Sequence, residues 1–584
     1  MPLIGTAGHV DHGKSTLIRR ITGRDPDRWA EEKRRGLTID LGFAWASLPD
    51  GTEVSFVDVP GHERYLKNML AGVEAIGVAL FVVAADEGWM PQSEEHLAVL
   101  DLLEVTKGVV ALTKVDLVDD ELVELATAEI AEQLAGSSLE GARIHPVSGV
   151  TGEGIDDLLV TLAVLTGEES PDDGRPRLWV DRSFTISGAG TVVTGSLLGG
   201  RLSADDTIEI YPTGRLARIR GLQSHETPHS SVGPGRRVAV NLAGVDHNEV
   251  ARGDMIGLRG QWDLTSRLAV GLRTARFAGS LDQRGAYQIH VGSGAHRVDI
   301  IGLDEEVAVL GTDRSLPLAV GDRFILRDTG RHLVVAGGRV LDPDPGPTRR
   351  ALVTSAGIDP EKGSAAIATR LLGIRRSDSV QRLAAHSGGG SPREAFVVGD
   401  QALDPSYQVE LARRAVKLVE GQHRRHPLRP GLPIATLAGR LGVSTQIVEA
   451  LVDRSGDLTR HGPDVALSDH EAALTEDQTR AWERARERLN QGLAVPDDTD
   501  LGVDPEILHL KLRSGDLVRI SPGLVYLPEQ VEELKAHMAS LGADFTVAEF
   551  RDVAHLSRKY AVPILEWSDK EGLTVRRGDL RRFR

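Results

Sequence analysis

The stretch Gly8-His-Val-Asp-His-Gly13-Lys14-Ser15 admits few folds. Two glycines with four residues between them let backbone N–H groups turn inward around an anion, and a lysine and a hydroxyl follow at once. Such a loop needs a strand before it and a helix after it, and an apolar run at residues 2 to 7 and a helical pattern from near Ser15 meet both demands. Lys14 would supply charge to the phosphates, and the Ser15 hydroxyl would ligate Mg²⁺. Further apolar runs at Val54 to Val59, Val78 to Ala84 and Gly108 to Leu112 alternate with amphipathic stretches as far as about residue 170, which predicts βαβ units and a mostly parallel sheet.

Four companions follow in order: Arg35-Gly-Leu-Thr38-Ile-Asp, Asp58-Val-Pro-Gly61-His62, Thr113-Lys114-Val-Asp116, and Ser148-Gly149 before Thr151-Gly-Glu-Gly154. With them, the set resembles the translational GTPases. The resemblance implies a nucleotide site of Gly8, His9, Val10, Asp11, His12, Gly13, Lys14, Ser15, Thr16, Gly61, Thr113, Lys114, Asp116, Ser148 and Gly149, holding GTP or GDP. Mg²⁺ would be ligated by Ser15 and Thr38, and by Asp58 through water, with the Thr38 segment ordering around the γ-phosphate. Asp116 would accept two hydrogen bonds from guanine under the Lys114 stem, and Thr113 stands where the family more generally has Asn. His62 would orient the attacking water, with Val10 and Leu37 as an apolar gate. His9 and His12 read as loop packing, without a zinc site.

A chain of 584 residues must hold several domains. The GTP-binding domain is expected over 1–172. Short β-branched runs with Gly and Pro punctuation then predict two β-barrels, over 173–262 and 263–347. Beyond them lie Ala-, Leu- and Arg-rich helical patterns in which Ser455-Gly-Asp-Leu-Thr-Arg460 is echoed by Ser514-Gly-Asp-Leu-Val-Arg519 and Glu571-Gly-Leu-Thr-Val-Arg576. Each echo follows a helix and precedes a hairpin-like run, which predicts α+β winged-helix modules: a linker and first module over 348–420, then 421–474, 475–530 and 531–584. The chain has no cysteine, which excludes disulfides and thiolate sites and makes a reducing cytoplasm the expected location. No apolar run is long enough to span a membrane. The net charge of -17 excludes a uniformly basic surface, but residues 551–584 hold nine Lys or Arg against five Asp or Glu.

The phrases Ala7 to Thr16 and Asp58 to Glu63 resemble the group that contains elongation factor Tu, the tRNA-carrying initiation factor subunit and the GTPase subunit of sulfate adenylyltransferase. Val180-Asp181-Arg182 through Gly195 resembles the start of that group's second domain, which holds the aminoacyl end of tRNA. Asp181, Arg182 and Arg237 match the pocket of the selenocysteine-specific factor. There guanidinium groups would reward an acidic selenol that arrives as an anion. More than 200 residues follow Arg350, and this length resembles that family's winged-helix tail, whose last module grips an mRNA hairpin. Arg558, Lys559, Arg576 and Arg577 would meet its phosphates. The resemblance implies a GTPase, stimulated by the ribosome, that delivers selenocysteinyl-tRNA at recoded UGA codons and works as a monomer. The alternatives are another aminoacyl-tRNA carrier with an adaptor tail, and the GTPase subunit of a sulfate adenylyltransferase.

Overall fold

The apolar run at 78–84 has no polar face because both of its faces are covered. Ala79, Phe81 and Val83 pack with Leu97, Leu100 and Ile130 on one side. Val78, Leu80 and Val82 pack with Leu17, Ile18, Leu158 and Leu162 on the other. The computed structural model describes residues 3–25, 41–59, 76–167, 174–188, 190–542 and 544–584. The strands of the first sheet are β1 (Leu3–Ala7), β2 (Gly42–Ser47), β3 (Glu53–Asp58), β4 (Val78–Ala84), β5 (Gly108–Thr113) and β6 (Ile144–Pro146). They lie in the order β2-β3-β1-β4-β5-β6, and only β2 and β3 pair antiparallel.

Two barrels follow, as expected. The first closes through Thr207–Tyr211, Met255–Leu258, β7 (Arg177–Ile186), β8 (Gly190–Leu198), Arg236–Ala243 and Arg215–Ser224, which pairs back with Thr207–Tyr211. The second is a closed barrel of six strands between Thr265 and Asp342. Its strand Leu333–Asp342 packs on the helix Pro91–Leu102 of the first domain, where Arg339 pairs with Glu104 and Arg273 with Asp101.

A small module of three helices and a three-stranded sheet ends the first unit at Asp404. Arg375 ties this module to the barrel through Asp342 at 2.6 Å. The expected boundary at 420/421 does not stand, because it cuts the helix Pro405–Arg425. That helix buries the stripe Leu411, Ala415 and Val419 and packs on the helix Ile434–Leu441 and the strand Asp464–Leu467. The break therefore moves to 404/405.

In the second unit, each of the three echoed segments leads into a hairpin: Leu458–His461 with Asp464–Leu467, Val518–Ser521 with Leu524–Tyr526, and Thr574–Arg577 with Leu580–Phe583. Several of its helices start at side-chain caps, with Ser444 accepting from the Ile447 N–H and Thr475 and Thr546 in reciprocal boxes. The expected boundary at 530/531 falls inside the helix Pro528–Ser540. Gln530 at its start donates to the carbonyls of Leu489 and Gly492. Leu534 and Met538 further along share one apolar cluster with Phe545 and Phe550, so the last two modules share a core.

Candidate functional site

The loop between β1 and the helix α1 (Lys14–Thr22) begins with Gly8 at φ 126°, and a Cβ there would stand 2.0 Å from the Val82 carbonyl oxygen. Only glycine allows this approach to β4. The Lys14 ammonium is buried and donates to the Gly8 and His9 carbonyls at 3.0 and 2.6 Å. Burial pushes it down to about 8, against the pull of Asp58 and Asp11. A buried cation held in this way is stabilised by any anion brought to the loop. The Ser15 hydroxyl donates to Asp58 Oδ2 at 2.7 Å. A hydroxyl and a carboxylate brought together at the mouth of the loop are hard oxygen donors that suit Mg²⁺. Asp58 Oδ1 accepts from the Thr6 hydroxyl at 2.8 Å, and Thr6 in turn accepts from the Val59 N–H.

Thr113, which stands where the family more generally has Asn, ties its strand to the loop. Its hydroxyl donates to the His12 carbonyl at 2.6 Å. Lys114, at φ 61°, is held by Glu87 at 2.6 Å and Asp86 at 3.2 Å, and the hydrogen bond from Lys114, with its charge, holds Glu87 below the usual carboxylate range. Asp116 is exposed beside it. Ser148 is buried, and its hydroxyl accepts from the Val150 and Thr151 N–H groups. A Cβ on Gly149 would meet Thr16 at 3.2 Å, which brings that loop against the start of α1. The structure thus gathers the described motifs around one loop. Thr38, Gly61, His62 and Leu37 lie outside the described residues.

Two loop partners escaped the motif reading. The Gly8 N–H donates to His96 Nδ1 at 2.9 Å, and the Val10 N–H donates to Gln92 Oε1 at 3.0 Å. Both side chains come from the helix Pro91–Leu102, one turn apart. Burial, with Lys14 and His9 nearby, pushes His96 down to about 3. The ring is therefore neutral, with Nδ1 the acceptor and the proton on Nε2. His12 is held at about 4 by burial and by His9, whose ring centroid lies 5.1 Å away. A neutral, buried His12 fits loop packing. Only the i, i+4 spacing of Gln92 and His96 could have pointed to them.

In the first barrel, Asp181 accepts from Arg237 through both carboxylate oxygens. The Thr194 hydroxyl donates to Asp181 at 2.6 Å and accepts from Arg237 at 3.0 Å. The Arg237 guanidinium carbon stands 3.5 Å from the centroid of the Phe43 ring on β2, a cation–π contact between barrel and GTP-binding domain. Arg182 donates to the Leu41 carbonyl at 3.2 Å. A cleft of about 170 Å³ opens here, lined by Phe43, Trp45, Thr194, Gln223, His225 and Arg237 among others. The structure thus joins Asp181 and Arg237 through Thr194 and brings Arg237 and Thr194 to the cleft, while Asp181 and Arg182 are not among the described residues that line it. Phe43 and Thr194 were not legible as members of this group.

At the far end of the chain, Arg558 and Lys559 open the helix Arg558–Lys570, and Arg576 and Arg577 lie on the hairpin after it. All four are exposed. Arg581 and Arg582, in contrast, pair with Asp569 and Asp544 at 2.9 Å.

The nucleotide loop and the barrel behind it define an elongation factor Tu-type GTPase with a winged-helix tail. Residues 1–166 match the elongation factor Tu GTP binding domain, and residues 190–257 match elongation factor Tu domain 2. Residues 265–347 match the beta-barrel domain of the selenocysteine-specific elongation factor, and 536–583 match the winged helix of elongation factor SelB. The selenocysteine-specific elongation factor of Desulfomicrobium baculatum is 33% identical, with 100% of both chains covered. That of Escherichia coli K12 is 32% identical over 99% of this chain and 98% of its own. A crystal structure of bacterial selenocysteine-specific elongation factor EF-Sec covers 100% of both chains at TM-score 0.75 and 28% identity. The chain belongs to the selenocysteine-specific elongation factors.

Proposed function

We propose that the chain carries selenocysteinyl-tRNA to the ribosome at recoded UGA codons, hydrolyses GTP there under ribosomal stimulation, and binds an mRNA hairpin with its last module. The observation that carries this reading is the Asp181–Arg237–Thr194 group, of which Arg237 and Thr194 line the cleft between barrel and GTP-binding domain. Arg237 and Arg182 offer guanidinium groups to an aminoacyl side chain, and a selenolate accepts them where a serine hydroxyl brings no charge to reward. Asp181 orients Arg237 and stops its charge from attracting anions without selection.

At the nucleotide, Lys14 neutralises phosphate charge, the loop N–H groups cradle it, and Thr113 and His96 keep the loop in shape. Bound Mg²⁺ supplies Lewis-acid stabilisation of the phosphate oxygens. Ser15 and Thr38 would ligate it and Asp58 would hold it through water. Asp116, with Lys114, reads guanine. His62 orients the attacking water, and Val10 with Leu37 forms an apolar gate that keeps His62 away until the ribosome docks. The exposed Arg558, Lys559, Arg576 and Arg577 meet RNA phosphates, with salt-dependent affinity. The factor works in the cytoplasm as a monomer. Among the described residues no helix is long and apolar enough to cross a membrane.

The test is binding of the GTP-loaded protein to selenocysteinyl-tRNA and to the same tRNA carrying serine, with Arg182→Ala and Arg237→Ala in parallel. The expected result is a strong preference for selenocysteine that collapses in both variants. Equal binding of the two tRNAs by the unaltered protein refutes the charge-reading pocket.

A further inference from the structure

β7 holds one residue more than its partner strand needs. Val180 pairs with Gly195 and Arg182 with Thr194, so Asp181 is the extra residue of a β-bulge. Bulges re-aim side chains, and this one presents the Asp181 carboxylate to Thr194 and Arg237. Its geometry is held at Val180. The Val180 N–H donates to the Asp254 carbonyl at 2.8 Å, and the Val180 carbonyl accepts from the Gly253 N–H at 3.0 Å.

A second donor reaches the same carbonyl from the other barrel: the Ser293 hydroxyl, at 2.6 Å. Ser293 is buried, in a two-residue turn with Gly292 between the paired residues Val291 and Gly294. Gly292 has φ 54°, and a Cβ there would stand 2.2 Å from the Trp179 ring. One turn of the second barrel thus touches both Trp179 and Val180, the two residues that precede Asp181. The same barrel also holds the residue that receives the Val180 N–H, since Arg314 pairs with the Asp254 carboxylate at 2.5 Å.

We propose that the Gly292-Ser293 turn positions the aminoacyl pocket: by holding the Val180 carbonyl, Ser293 sets the bulge that presents Asp181 to Arg237, and so sharpens discrimination between anionic and neutral aminoacyl groups. This rests on the reading of that pocket as a sensor of aminoacyl charge. Ser293 touches none of the pocket residues and acts only through the backbone. Its removal leaves no orphaned acceptor, because Gly253 still donates to Val180, so folding is largely spared while Asp181 gains freedom. The cost appears where the carboxylate's placement matters, in the balance between Asp181 and an incoming anion for Arg237.

Ser293→Ala is made alone and together with Asp181→Asn in the full chain loaded with GTP. The affinities for selenocysteinyl-tRNA and seryl-tRNA are then measured beside that for GTP. Ser293→Ala is expected to lower the ratio of the two tRNA affinities about five-fold, the scale of one hydrogen bond, with GTP affinity unchanged. In the Asp181→Asn background the same substitution is expected to have no further effect, since a residue acting through Asp181 has nothing left to position. The proposal is overturned if Arg237→Ala abolishes the preference while Ser293→Ala leaves it intact. It is also overturned if the two substitutions simply add. A preference missing already in the unaltered protein sinks the pocket reading itself, and this inference with it.

Discussion

Thr113→Val keeps the shape of the side chain and removes the hydroxyl that donates to the His12 carbonyl at 2.6 Å and to the Val83 carbonyl at 3.3 Å. Both Thr113 and His12 are buried, so water does not replace the lost donor. An acceptor left without its partner in such a place costs about 1–3 kcal/mol. The His12 carbonyl belongs to the nucleotide loop, and a loop that relaxes to recover a donor must be restored when phosphates bind. We expect GDP affinity to fall about tenfold, the factor that corresponds to about 1.4 kcal/mol. Thr113→Asn places an amide donor where the family more generally has one, and is expected to bind GDP within about twofold of the unaltered protein. The assay is equilibrium titration with a fluorescent guanine nucleotide at constant Mg²⁺. If Thr113→Val binds GDP as tightly as the unaltered protein, the hydroxyl does not hold the loop and the argument fails.

Burial, aided by Arg327 and His296, pushes His290 in the second barrel down to about 3. The fold therefore keeps this ring neutral while the unfolded chain takes up its proton below about 6.5. Its contribution to stability is complete above about 6.5 and shrinks as pH falls toward 3, by about 1.4 kcal/mol at pH 5.5. His290→Leu should remove this acid-sensitive part, so that the variant gains on the unaltered protein in denaturant unfolding at pH 5.5 relative to pH 7.5; an equal difference at both values counts against it. For the tail, Arg576→Ala and Arg577→Ala should each weaken hairpin RNA binding in an anisotropy titration. Each should also reduce the slope of log affinity against log salt by about 1. Unchanged slopes would place the RNA elsewhere on the module.

The amino-acid sequence alone determined the architecture, and the motifs proposed for the nucleotide site were legible in it. The loop Gly8 to Ser15 builds its geometry from consecutive backbone groups, and apolar alternation marks strands and helices without reference to distant residues. The three echoed segments at Ser455, Ser514 and Glu571 announced the winged modules for the same reason. Boundaries at 420/421 and 530/531 were misplaced because the winged-helix pattern does not say which module a connecting helix packs on. Leu411, Ala415 and Val419 decide that by where they bury. Tertiary structure alone brought Thr6 and Asp58 together across 52 residues, and His96 to Gly8 across 88. It also set Phe43 over Arg237 and Ser293 on the bulge before Asp181. These partners are single polar or aromatic side chains, and apart from the i, i+4 spacing of Gln92 and His96 they carry no local signature. Which of them meet is set by strand order and by how the two barrels dock, and a hydrogen bond or ring contact forms only within a few ångströms of that final arrangement.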